Sequence, residues 1–158
     1  MLASGVMATT NRWAITLTTT NAVIAPSRTY SSSTITNTWA ASTNYTAGAY
    51  VANSNSVFYW TPNGGTATNQ PTHKSGLATG ADSIQWLSLK SRSRNNITVQ
   101  LVDSSSGDAW IESGADAAVV DACYLLSVRG MAWDSPGYSG ELNGIAGSGT
   151  RTIVITEE

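Results

Sequence analysis

One histidine and one cysteine limit the side-chain chemistry open to this chain. A Ser-His-Asp triad would have to use His73. That residue sits in a Pro/Gly loop beside Lys74, and no serine lies in a nucleophile-elbow context. A zinc site of ordinary type needs about four Cys or His ligands, so His73 and Cys123 do not suggest one. Cys123 lies in an apolar run and reads as a buried, inert thiol. Asp103, Asp108 and Glu112 resemble a calcium loop until the spacing is counted. Gly107 falls at the fifth position and Glu112 at the tenth, where an EF-hand needs glycine at the sixth and glutamate at the twelfth. A turn explains the DSSSGD stretch without metal. The GIAGSG run at 144–149 has the glycines of a phosphate loop but neither the following Lys-Ser/Thr nor the preceding strand. Glycoside hydrolysis needs two carboxylates that only have to meet in space, and nothing in the sequence selects a pair. The expectation is a protein that is not an enzyme and that carries no cofactor and no metal.

The aromatic residues offer a different chemistry. An exposed ring can serve as a flat platform for a sugar, with amide and hydroxyl groups at its rim. Residues 57–61 alternate, so Tyr59 and Trp60 point to opposite faces and only one of them should line a core. Trp60 is the better candidate for the exposed platform, with Tyr45 as a second ring and Tyr59 beside it. The competing reading is that Trp39, Tyr45, Phe58, Trp60 and Trp86 simply fill a small core.

The elements that must position these residues are β throughout. Residues 12–18 alternate, with Trp13, Ile15 and Leu17 on one face, which predicts a half-buried strand. Residues 22–25 form a short apolar run stopped by Pro26, as in an edge strand. A Ser/Thr-rich connector follows, and 1–38 together read as an arm that docks to partners. Strands are expected at 49–52, 57–61 and 83–89, with Ile84, Trp86 and Ser88 opposite Gln85, Leu87 and Leu89. Residues 66–81 read as a long loop. Residues 90–96, with Lys90, Arg92 and Arg94 among serines, read as a solvated linker. A hairpin is expected over 97–112, a Gly-rich loop over 131–148, and a terminal strand at 150–156. Residues 116–128 fit either a helical stripe or a strand, with the strand favoured by the β character of their neighbours. The organisation is thus an arm (1–38), a β module (39–89), a linker (90–96) and a C-terminal β unit (97–158).

Composition narrows the class. Only 11% of the 158 residues are charged and 41% are hydrophobic, against about 25% charged in ordinary soluble domains. Net charge is −2, and the one basic cluster is the 90–94 stretch, so a nucleic-acid partner is not expected. No run approaches the roughly 18 apolar residues of a membrane span, and residues 1–13 lack the basic and apolar regions of a signal peptide. A charge-poor Ser/Thr surface suits a subunit that hides its surface in an assembly.

The central module carries a resemblance. Trp39, then Tyr45-x-x-Gly48-x-x-Val51, a short turn, Val57-Phe58-Tyr59, a Gly/Thr loop with Pro71 and a closing Trp86 resemble the small chitin- and cellulose-binding modules of families 5 and 12. Similar modules occur on bacteriophage tail, fibre and capsid-surface proteins, and Pro71-Thr72-His73-Lys74-Ser75-Gly76 is similar to their loop before a tryptophan strand. The chain departs from the pattern at Ala49, where the family often has Asp, and at 53–56, where its turn usually holds Gly. The resemblance implies an all-β fold: a carbohydrate-binding-module-like unit, a β-sandwich-like C-terminal unit and an extended N-terminal arm. It implies a non-enzymatic structural protein of a tailed-phage virion, exposed on the particle surface, with other capsid or tail proteins as partners. A homo-oligomer such as a trimer would suit that role. The alternative it implies is a receptor-recognition module that binds a host-surface glycan through Trp60, Tyr45 and Tyr59.

Overall fold

The computed structural model describes residues 11–28, 35, 37–53, 57–89, 94, 96–103, 107–114, 116–121 and 123–158. Within them the chain is all-β, with fourteen strands and no helix. In chain order these are β1 (Asn11–Leu17), β2 (Ala22–Ala25), β3 (Thr43–Tyr45), β4 (Tyr50–Ala52), β5 (Phe58–Trp60), β6 (Gly65–Ala67), β7 (Leu77–Thr79), β8 (Gln85–Ser88), β9 (Asn96–Leu101), β10 (Ala109–Ser113), β11 (Tyr124–Leu126), β12 (Ala132–Pro136), β13 (Leu142–Ala146) and β14 (Arg151–Glu157).

With β3 to β8 set aside, the other eight strands pair from the outside inwards. β1 pairs with β14, β2 with β13, β9 with β12 and β10 with β11, all antiparallel. Two further pairings, β14 with β9 and β10 with β13, close the ribbon into sheets of order β1-β14-β9-β12 and β11-β10-β13-β2. An antiparallel ribbon rolled into two four-stranded sheets in this way has the connectivity of a jelly roll.

Strand alternation explains why the two sheets face each other. On β14, Arg151, Ile153, Ile155 and Glu157 are buried, while Thr152, Val154 and Thr156 between them are half-buried. On β9, Ile97, Val99 and Leu101 point the same way inward. Trp13 and Leu17 of β1, Ile24 of β2, Ile111 of β10, Leu126 of β11 and Leu142 of β13 join them in one core. Gly144 of β13 is there for room: a Cβ at this position would sit 3.0 Å from Ile24 Cγ2 and 3.1 Å from Leu17 Cδ2.

The remaining strands form a module inserted between β2 and β9. Its main sheet has the order β4-β5-β8-β7, and β3 and β6 make a separate two-stranded sheet. One face of the main sheet carries the row Tyr50–Trp60–Leu87–Leu77, cross-strand neighbours that all pack into the jelly-roll core. The opposite face carries Val51, Tyr59 and Trp86, which form a second core with Ala67 and Ile84. The sheet is therefore a wall shared by two cores.

Several expectations are corrected by this arrangement. Residues 11–25, expected in a partner-docking arm, supply two strands of the jelly roll, while residues 1–10 lie outside the described residues. The 97–112 stretch is not a hairpin, because β9 and β10 belong to different sheets. The 131–148 loop contains β12 and β13, and the 66–81 loop contains the end of β6 and all of β7. In 116–128 the favoured strand reading holds, at β11, whereas Cys123 beside it is half-buried and not buried as expected. The turns expected at 53–56 and 103–107 and the linker at 90–96 fall largely outside the described residues.

Candidate functional site

The three aromatic residues proposed from the sequence do not form a common platform. Trp60 is only 1% exposed. It faces the jelly roll between Tyr50 and Leu87, so the expectation of an exposed Trp60 is corrected. Alternation was right that Tyr59 and Trp60 point apart, but both faces of their sheet are covered. Tyr59 is fully buried, its hydroxyl donates to the His73 carbonyl at 2.7 Å, and its ring lies 5.2 Å from the imidazole. Burial pushes its phenol pKa up. Tyr45 is half-exposed, meets Trp86 edge-on at 5.4 Å, and accepts the Ala40 N–H at 2.8 Å on its hydroxyl.

The 71–76 loop and the residues beside it form a seam between the two regions. Asn11 of β1 accepts the Gly76 N–H on Oδ1 at 2.7 Å and donates from Nδ2 to the Ser88 carbonyl at 3.3 Å. Ser88 in turn donates its N–H to the Gly76 carbonyl at 3.0 Å. His73 Nε2 lies 3.1 Å from the same carbonyl. Desolvation lowers the imidazole pKa, against the opposing pull of its hydrogen bonds to the Gly76 and Trp86 backbone. A histidine held in this way anchors its loop.

Short polar side chains tie the rest of the module together. Asp82 Oδ2 accepts the Thr68 and Asn69 N–H groups at 2.7 and 3.1 Å, and Oδ1 accepts the Ile84 N–H at 3.2 Å. Partial burial works to raise its pKa, and these donors outweigh it and hold the carboxyl below its ordinary value. Asn63 donates to the Ser83 carbonyl and accepts the Gln85 N–H, both at 2.9 Å. Gly64, at φ +63°, lies so close to the β3–β4 turn that a Cβ would meet Tyr45 O at 2.5 Å and Ala47 N at 2.6 Å.

Two open concavities flank this framework. A groove of about 200 Å³ is lined by Asn69, Gln70, Thr72, His73, Thr79 and Trp86, among others. The Trp86 indole N–H is buried and has no hydrogen-bond partner among the described residues. A cleft of about 410 Å³ separates Thr18, Asn21 and Val23 from Gly48, Pro62 and Asn63. The cleft is lined by amide, hydroxyl and small apolar groups, and the groove adds the His73 and Trp86 rings to such groups. Among the described residues no three His, Cys, Asp or Glu side chains are grouped to hold a metal ion.

The feature that sequence reasoning missed lies at the base of the insertion. Arg94 is 4% exposed and is no solvated linker residue. Its Nη1 donates to Glu157 Oε1 at 2.8 Å, its Nε to the Tyr138 carbonyl at 2.9 Å and its Nη2 to the Pro26 carbonyl at 3.2 Å. Arg28 donates to both oxygens of the same carboxylate, from Nε to Oε1 at 3.2 Å and from Nη2 to Oε2. Burial pushes the Arg94 pKa down, and the Glu157 carboxylate resists that shift. One buried carboxylate from β14 thus holds the segment that leaves β2 and the segment that enters β9. A readable signal existed: Glu157 is in phase with Ile153 and Ile155, so its charge falls on the core face of its strand.

No family model, no curated protein and no solved structure matches this chain.

Proposed function

We propose that this chain is a non-enzymatic structural protein of a tailed-phage virion, in which the jelly roll docks to neighbouring virion proteins and the β3–β8 module is displayed on the particle surface. The observation that carries this reading is the insertion itself. A β module is set into one connection of a jelly roll, shares a core wall with it, and has both of its connecting segments held on Glu157. Such a mount fixes the orientation of the displayed module, which suits display more than turnover. Jelly rolls recur in viral capsid and lectin domains, although a fold alone does not dictate a task. The phage-like 71–76 loop and the charge-poor surface point the same way. Immunogold labelling of particles purified from cells that carry the gene tests this reading. Label on the particle is expected, and label confined to the particle-free fraction overturns it.

The groove beside Trp86 favours a second reading, a carbohydrate-recognition role for the module. Its amide and hydroxyl lining suits a neutral polyhydroxylated ligand. Chitin pull-down and glycan-array binding that disappear in Gln70→Ala/Thr79→Ala, with the fold intact, are expected under it. Trp60 is not a suitable test residue, since its loss would damage the core.

A further inference from the structure

The geometry points to a homodimer formed by antiparallel pairing of β11 with β11 of a second copy, about a two-fold axis near Leu125. The inference rests on how the four edges of the jelly roll differ. An open strand edge invites pairing unless it is covered, charged or interrupted. The β1 edge is covered by the module, because Asn11 holds Gly76 and Ser88. The β2 edge faces Pro62 and Asn63 of the module across the cleft. The β12 edge is open but carries an exposed Asp134 and Pro136, a charge and a residue without an N–H. β11 has none of these protections.

Its surroundings are also the apolar part of the surface. Among the described residues the exposed large hydrophobic side chains are Val119 (54%), Val120 (37%), Tyr124 (44%) and Val128 (62%). All four belong to β11 or the segments next to it, whereas the other large hydrophobic side chains among the described residues are buried or half-buried. A patch of this kind marks an interaction surface.

The charges select a second copy as the occupant. Asp116 and Asp121 are exposed before β11, and Arg129 is exposed after it. When a strand edge pairs antiparallel with its own copy, its acidic end meets its partner's basic end, and the contact is repeated by symmetry. A two-fold axis near Leu125 sets the acidic segment before β11 of one copy beside the basic segment after β11 of the other. With Leu125 opposite Leu125, Cys123 comes level with Ser127. The result is a continuous eight-stranded sheet with Val119, Val120, Tyr124 and Val128 of both copies along the seam. The inference holds whether or not the chain is a virion component.

Sedimentation equilibrium of the purified chain, at concentrations up to about 200 µM, tests it. A dimer is expected, with Val128→Lys and Arg129→Glu each raising its Kd about tenfold or more, as loss of one buried side chain or one facing charge pair would. Both positions are exposed, so these variants keep their fold, which circular dichroism checks. Ser127→Cys gives the register directly: under mild oxidation it should pair with Cys123 of the other copy and yield a covalent dimer on a non-reducing gel. A chain that stays monomeric at 200 µM overturns the inference and leaves β11 to a different protein. A dimer that is indifferent to all three substitutions also overturns it, because the interface then lies elsewhere.

Discussion

The jelly roll and its inserted module are built by different means. The jelly roll uses strands of up to seven residues in long, regular registers, and its core is mainly aliphatic. Each fully buried Ile, Leu or Val there contributes on the order of 1.5–3 kcal/mol. The module uses strands of three or four residues and a small core of Tyr59, Trp86, Ile84 and Val51. Such short strands supply little ladder, so Asp82, Asn63 and Asn11 take over the fixing of the chain. The comparison shows that the module is less an independent domain than a structured connection, stable because one of its faces is a wall of the larger core.

The sharpest way to break this arrangement is to remove the shared carboxylate. Glu157→Ala leaves two buried guanidinium groups without their counter-charge, and should cost about 3–5 kcal/mol. Urea unfolding followed by circular dichroism and by tryptophan fluorescence should give one coincident transition at a lower midpoint. Two separated transitions would show that the regions are independent. Next comes Trp60→Ala, which opens a cavity in the wall and should cost about 3–5 kcal/mol. The same single transition is expected, and a loss confined to the module would contradict the shared core.

Two glycines separate close approach from mere backbone preference within the module. Gly64→Ala meets backbone atoms at 2.5–2.7 Å and should cost about 3 kcal/mol. Gly48→Ala, at φ +85° with nothing within 4 Å, should cost only about 1 kcal/mol. Equal losses in the denaturation midpoints would mean that the β3–β4 turn moves aside freely.

The smallest expected effect is on pH, and it should come from the module. The His73 pKa is lowered in the folded chain, so below its ordinary value of about 6.5 the unfolded chain binds more protons and stability falls with pH. The Asp82 pKa is also lowered. Its contribution is complete above the ordinary carboxylate range and is lost as pH falls through the depressed value. His73→Gln should flatten the upper part of the decline in urea midpoint and Asp82→Asn the lower part. A wild-type midpoint that rises on going below pH 6.5 would contradict both.

What could be read in the sequence was local. The β14 pattern shows in Ile153, Ile155 and the threonines between them, and the opposite faces of β8 show in Trp86 and Leu87. The all-β class follows from such segments. Partners could not be read, because they are set by contacts far apart in the chain. The turn between Leu101 and Ala109 looks the same whether it closes a hairpin or carries the chain from one sheet to the other. β13 was hidden because Gly144, placed to make room for Ile24 and Leu17, dilutes its apolar pattern. For the candidate site, alternation correctly set Tyr59 against Trp60, but it could not show that a second layer covers Trp60. Arg94 looked solvated because its counter-ion lies 63 positions away in the chain.

The pairing of first strand with last also sets a timetable for synthesis. β1 is made well before its ladder partner β14, with the twelve other strands between them. Until β14 emerges from the ribosome, β1 has an open edge, Arg28 and Arg94 lack their carboxylate, and the module has no finished wall to lean on. Folding of this chain should therefore be late and slow, as contacts between distant segments impose. A nascent chain halted before residue 151 would present a protease with the jelly roll and the module alike unprotected.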